Sequence, residues 1–132
     1  MEKIVVGAAI VDGHGRLLAA QRSEPPELKG GWELPGGKVD PGESDHEALI
    51  RECREELEVE ILIGPRVGGE WPLAAGYVMR VWLASLADGV PRAVEHLELR
   101  WLSESELYDV PWLPADLPIV RAVHGLLKER AG

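Results

Sequence analysis

The chain has 132 residues, 45% of them hydrophobic, with five tryptophans and no phenylalanine. That is enough apolar content for one folded domain spanning 1–132. A net charge of −9 excludes nucleic-acid binding as the main task, because a phosphate backbone calls for a basic surface. The single cysteine, Cys53, excludes an internal disulfide framework. The N-terminus lacks a targeting pattern and no apolar run reaches membrane-spanning length, so a soluble, cytoplasmic protein, monomer or homodimer, with no membrane partner is expected.

In chain order, residues 3–11 are apolar on both faces, which predicts a central strand covered on two sides. Asp12 to Gly15 is a turn, and 16–22 return as a second strand. Residues 23–31, with two prolines and two glycines, form a loop or flap. Arg22 closes the second strand facing that flap; its forked donors make it a candidate phosphate clamp, with a plain strand-end arginine as the alternative. Trp32 to Lys38 leads into a helix that begins at Ser44, where Ser44 and Glu47 form a capping-box pattern. Residues 59–67, 75–87 and 97–102 are predicted strands, with a loop at Gly68, Gly69, Trp71 and Pro72. Ser103 to Glu106 opens a short helix with a second capping box. Residues 111–118 form an irregular loop, and an amphipathic helix runs over about 118–130. Two helical layers around a mixed sheet, an α/β class, is the simplest arrangement of these elements.

The helix after Ser44 carries the chemistry. At about 100° per residue, Leu49, Ile50, Cys53 and Leu57 share one stripe that packs inward, which makes Cys53 a buried, inert thiol. Glu52, Glu55 and Glu56 share a neighbouring stripe at the edge of the core. Glu47, Arg51, Arg54 and Glu58 fill the outside, with Glu47/Arg51 and Arg54/Glu58 at pairing distance. Three carboxylates within one turn repel each other, and a hard divalent cation with oxygen ligands is the usual remedy.

The spacing from Gly37 through Glu43, Arg51, Glu52, Cys53, Glu55 and Glu56 to Val59 resembles the signature of the Nudix hydrolases. A chance match is on the order of one in a million at ordinary residue frequencies. One position departs: the family's final glycine is Glu58 here. A glutamate in the left-handed conformation costs about 1 kcal/mol, so either the helix ends differently or the chain carries that strain.

The resemblance implies an α/β/α sandwich, Mg²⁺ as cofactor (Mn²⁺ as a substitute), and phosphoryl transfer to water. By similarity to the MutT-like branch, the Gly36 carbonyl, Glu52 and Glu56 would be metal ligands, completed or seconded by Glu55. Lys38 would reach substrate phosphate, and Arg51 would orient the glutamates, paired with Glu43. A further acid six residues before Trp101 would be Glu95, as metal ligand or base, with Glu98 as competitor; Glu52 and Glu95 contend for the role of base. The segment 114–120 resembles the base-recognition segment of MutT-like nucleoside triphosphate pyrophosphatases, closest to those acting on cytidine nucleotides. A carboxylate at Asp116 accepts hydrogen bonds only, which suits the amine of cytosine or the donors of guanine and oxidised guanine (8-oxo-dGTP). The same Asp116 also fits as the N-cap of the last helix. Trp32, Trp71 and Tyr77 stack on a base or pack against the protein. His14, His46, His96 and His124 have no assigned role. The implied activity is removal of pyrophosphate from a nucleoside triphosphate, for cleansing the nucleotide pool. The alternatives are an ADP-ribose or nucleoside-diphosphate-sugar hydrolase and a non-catalytic nucleotide sensor.

Overall fold

The computed structural model describes residues 3–131. Its strands are β1 (Lys3–Ile10), β2 (Leu17–Gln21), β3 (Trp32–Glu33), β4 (Gly36–Lys38), β5 (Glu60–Pro72), β6 (Tyr77–Asp88) and β7 (Glu98–Leu102). The helices are α1 (Asp45–Leu57) and α2 (Leu117–Ala131). A four-stranded mixed sheet has the order β4-β1-β6-β5, with β1 parallel to β6 and the outer pairs antiparallel. A second, antiparallel sheet has the order β3-β2-β7. The expected single mixed sheet is therefore divided, and the short strands beside it supply the second sheet.

Strand alternation sorts the core into two clusters. Val6, Ala8 and Ile10 of β1, with Trp82 and Ala84 of β6, pack on Ala48, Leu49, Cys53 and Leu57 of α1. Ala9 of β1, with Met79, Val81 and Leu83 of β6, belongs to the opposite cluster with Ile119, Val120, Val123 and Leu127 of α2. The two-faced apolar pattern of β1 thus has its reason: a helix covers each side. Burial pushes the Cys53 thiol up to about 12, helped by Glu56 and Glu52 nearby, so it stays a protonated packing group.

Two expected loops are ordered differently. β5 continues through Gly68 and Gly69 to Pro72, with register shifts against β6 between Val67 and Trp71. Gly68 has φ 65°, and a Cβ there would meet the Trp71 ring at 2.7 Å, so the glycine read as a loop marks a bulge. Segment 111–118 is tied to β3: Trp32 N–H donates to Pro111 O (3.0 Å) and Leu113 N–H to Trp32 O (2.8 Å).

The Ser44 capping box is present, with Ser44 Oγ accepting from Glu47 N–H and Glu47 Oε1 accepting from Ser44 N–H. This corrects the expected Glu47/Arg51 pair, because the cap engages the Glu47 carboxylate. Arg54 likewise pairs with Glu60 at the start of β5 rather than with Glu58. At the other end of α1, Glu58 takes the left-handed conformation (φ 58°, ψ 42°), and its N–H donates to Arg54 O. The chain keeps the glycine geometry without the glycine. Glu58→Gly should therefore stabilise the protein by about 1 kcal/mol, raising Tm by roughly 3–5 °C. The exposed Glu58–Arg92 contact that is lost (3.5 Å) contributes little. A thermal melt showing an unchanged or lower Tm would contradict this account.

Candidate active site

A cleft of about 740 Å³ gathers residues from β1, the 22–38 segment, α1, the loops before β6 and β7, and the segment before α2. Its volume suits a nucleotide-sized ligand. Of the candidate site residues, Arg22, Gly36, Lys38, Glu52, Glu56, Glu95 and Asp116 line it, whereas Arg51 and Glu55 do not. Glu98 lies in β7 opposite Gln21 and is also outside the lining.

The floor is built where β4 meets α1. A Cβ at Gly36 would sit 1.9 Å from Val6 O, so only glycine allows this approach to β1. Gly36 N–H then donates to Glu56 Oε2 (3.1 Å). A Cβ at Gly37 would stand 2.6 Å from both carboxylate oxygens of Glu52, so the bare backbone leaves room for that carboxylate. Glu56 is buried, and its burial, together with Glu52, Glu33 and Glu95 close by, pushes its carboxyl up to about 9. Glu52 is raised as well, chiefly by burial.

Arg51 is the cation that the acidic helix face carries in this structure. Its Nε and Nη2 donate to the two oxygens of Glu43 (2.7 and 2.9 Å), and Nη1 donates to Glu52 Oε1 (2.9 Å) and Glu55 Oε2 (3.2 Å). Nη2 also donates to Lys38 O (3.1 Å). The sequence pattern put Arg51 on the solvent face; five donors in one plane let it turn back over the carboxylates instead. Its hydrogen bonds hold Glu43 down at about 2. Glu55 is exposed and turned to Arg51, away from the cleft.

Two residues without an expected role complete the floor. Glu33 accepts from Arg22 Nη1 (2.8 Å) through Oε1 and meets His96 Nε2 (3.0 Å) through Oε2. His96 Nε2 is also 3.7 Å from Glu56 Oε1, and the imidazole is 4% exposed. Nothing local in the sequence pairs them: Glu33 lies in a two-residue strand and His96 sits 63 positions away. The one available signal was the neighbour of His96, Glu95, already singled out. Arg22 also donates Nε to Glu24 O (2.7 Å). Lys38 Nζ lies 5.1 Å from the centre of the Tyr77 ring.

Asp116 is buried at the head of α2, and its carboxyl rises to about 7, mainly through burial. Its Oδ2 accepts from Leu34 N–H (3.0 Å), while its backbone oxygen takes the first helical bond from Val120 N–H. Asp116 therefore stands at the N-cap position, but its side chain bonds across to the 32–38 segment instead of to the helix. Trp32 is buried in the core and Trp71 donates Nε1–H to Val67 O (3.0 Å). Both belong to one core cluster, and with Tyr77 they stay outside the cleft lining.

Among the described residues, no three His, Cys, Asp or Glu side chains are already gathered around one point as metal ligands. The donor chemistry nonetheless fits a hard divalent cation. The candidates are all oxygen, the glycines keep the space over Glu52 free, and Glu56 holds a proton near neutrality in the absence of a compensating charge. Among the described residues, no helix is long and apolar enough to cross a membrane.

Comparison with known proteins gives one family. The NUDIX domain model matches residues 1–123. The chain is 47% identical over 119 residues to a Mycobacterium tuberculosis protein named putative 8-oxo-dGTP diphosphatase 2, covering 88% of this chain and 84% of that one. It is 38% identical over 132 residues to the Escherichia coli CTP pyrophosphohydrolase, covering 98% of each. Among solved structures, the MutT NUDIX hydrolase from Burkholderia pseudomallei superposes with a TM-score of 0.75 at 32% identity, covering 93% of this chain and 98% of that one.

Glu56 links the site to stability. Its carboxyl titrates near 4.5 when unfolded and about 9 when folded, so its contribution is complete below pH 4.5 and is lost as pH rises to 9. Asp116, raised to about 7, has lost most of its own share by pH 7 and adds little to the change above it. In chelator, the wild-type protein should lose roughly 2 kcal/mol between pH 7 and 9, seen as a falling Tm. Glu56→Gln, uncharged throughout, should show a flatter profile and no turnover. Parallel pH profiles for the two proteins would refute this electrostatic picture.

Proposed function

The chain belongs to the NUDIX family and is a hydrolase, and from that premise we propose that it is a Mg²⁺-dependent nucleoside triphosphate pyrophosphatase. It releases a nucleoside monophosphate and pyrophosphate. Cytosine nucleotides and their modified forms are its first substrates and 8-oxo-dGTP the next, and its work is cleansing of the cytoplasmic nucleotide pool. In this reading residues 1–132 act as one domain, as a monomer or homodimer. The observation that carries it is a single cleft lined both by Glu52, Glu56 and Glu95 and by the acceptor Asp116. Similarity to proteins named for CTP and for 8-oxo-dGTP supports the same two bases.

Nudix hydrolases generally use divalent cations. Here Glu52, Glu56, Glu95 and the Gly36 carbonyl would hold Mg²⁺, which when bound neutralises polyphosphate charge and lowers the pKa of a coordinated water. Gly36 N–H bonds Glu56 Oε2, and Oε1, without a hydrogen bond, would be available to the cation. Arg51 occupies Glu52 Oε1 and leaves Oε2. Glu55 seconds the set through its contact with Arg51. Glu52, whose carboxyl is raised by burial, and Glu95, exposed at the cleft, contend for the proton of the attacking water. Arg22 and Lys38 bind the phosphates. Glu33 holds Arg22 Nη1 and leaves Nη2 to the substrate.

Asp116 reads the base. Ionised, it only accepts, so it bonds the exocyclic amine of cytosine or the N1–H and 2-amino group of an oxidised guanine, and disfavours thymine and uracil. Protonated, below about pH 7, it also donates and that discrimination weakens.

Pyrophosphate release with Mg²⁺ should be measured for dCTP, CTP, 5-methyl-dCTP, 8-oxo-dGTP, dGTP, dATP, dTTP and ADP-ribose. Cytosine or 8-oxo-guanine triphosphates should lead, and the kcat/KM ratio of dCTP to dTTP should fall from pH 8 to pH 6. Asp116→Asn, which keeps an acceptor for Leu34 N–H, should reduce that ratio about tenfold or more at pH 8. An unchanged base preference would leave Asp116 as a structural bond to Leu34 alone. Turnover of ADP-ribose only would overturn the substrate assignment, and nucleotide binding without turnover would make the protein a sensor.

A further inference from the structure

We propose that His96 is a positioning residue of this site: its Nε2–H fixes Glu33 in its ion pair with Arg22 and so keeps Glu33 out of the ligand set of Glu52, Glu56 and Glu95. The inference rests on the metal-site reading above. A carboxylate only accepts, so Nε2, 3.0 Å from Glu33 Oε2, carries the proton. Nδ1 is buried with no hydrogen-bond partner, the only such side-chain atom among the described residues. A proton there would be a donor with nothing to bond, so the ring's donor capacity is engaged through Nε2–H, in the gap between two glutamates.

The two glutamates fare differently in that gap. Glu33 is closed at both oxygens, by Arg22 Nη1 at 2.8 Å and by His96. Glu56 Oε1 stands 3.7 Å from the same nitrogen, beyond hydrogen-bond range, and stays open. His96 thereby separates a satisfied carboxylate, which orients Arg22, from an open one, which faces the cation. Without the donor, Glu33 is left with one bond and an unshared charge beside Glu56. It then turns toward the cation and loosens Arg22 and the ligand set together.

The test titrates Mn²⁺ calorimetrically into nucleotide-free protein and, separately, measures turnover against Mg²⁺ concentration. His96→Met keeps bulk and removes the donor. It should weaken Mn²⁺ binding about tenfold and raise the Mg²⁺ concentration for half-maximal rate by a similar factor, with KM for dCTP within about twofold. His96→Gln retains an N–H at comparable reach and should recover most of the loss. Wild-type Mn²⁺ binding by the methionine variant overturns the proposal. So does a glutamine variant as impaired as methionine, since the flat shape of the ring, and not its N–H, would then be what matters. Where methionine does not fold, His96→Asn, polar but too short to reach Glu33, takes its place with the same expected loss. Wild-type protein that binds no Mn²⁺ overturns the metal-site reading and this proposal together, whereas a binding wild type with insensitive variants removes His96 alone.

Discussion

Crowded negative charge governs this protein. Glu33, Glu52, Glu56 and Glu95 share one cleft in a chain already at −9, and one of them is buried. Unshielded carboxylates at such distances raise each other's pKa until some stay protonated. The fold answers with fixed partners for some and an opening for the rest. Arg51 spans Glu43, Glu52 and Glu55, Arg22 and His96 close Glu33, and Glu56 receives one backbone N–H. What is left unneutralised faces the cleft as oxygen donors alone, a set whose chemistry fits a divalent cation.

That arrangement depends on backbone more than on side chains. Glu56 can bond Gly36 N–H only because β4 lies flush against β1, and the flush fit needs a residue without a Cβ at Gly36. α1 must then enter at the right angle, which the Ser44–Glu47 capping box sets, and leave through the left-handed Glu58. Between those ends, Leu49, Cys53 and Leu57 seat the helix on one core cluster. The stripe that packs and the stripe that carries Glu52 and Glu56 are adjacent on one helix, so any shift that improves packing moves those carboxylates.

The parts legible in the sequence were those with a local period. The α1 stripes, the two capping boxes and the two-faced β1 all follow from residues within a few positions of one another. Less was legible wherever a contact joined distant segments. Glu33 and His96 carry no periodic signal, and their meeting depends on β3 lying on β2 while the loop before β7 folds over it. Segment 111–118 lacks a pattern of its own and is ordered by backbone bonds to Trp32. Helix angle alone left Arg51 on the solvent face, and only the family resemblance paired it with Glu43, as it is found: the angle gives the direction of a Cβ, whereas a long guanidinium stem can return across the neighbouring stripe. Asp116 shows the same limit, since helix-end position suggested a cap and only the fold supplies Leu34 N–H as its partner.

An acidic protein that handles a polyanion has to confine its attraction to one place. Of the cations near the cleft, Arg51 is bound up with Glu43, Glu52 and Glu55, and it serves the carboxylates instead of a ligand. Arg22 is held on one side by Glu33 and Glu24, and Lys38 rests beside Tyr77. These two line the cleft, while the surrounding negative charge repels phosphate elsewhere. A divalent cation over Glu52 and Glu56 would reverse the local sign beside these two carboxyls, whose pKa values are raised. In the proposed function, phosphate affinity would then be conditional on the cation, and the unmetallated protein would hold no nucleotide tightly. On that proposal net acidity, which at first sight argues against a phosphate substrate, would be the means by which binding and the supply of the cofactor are made one event.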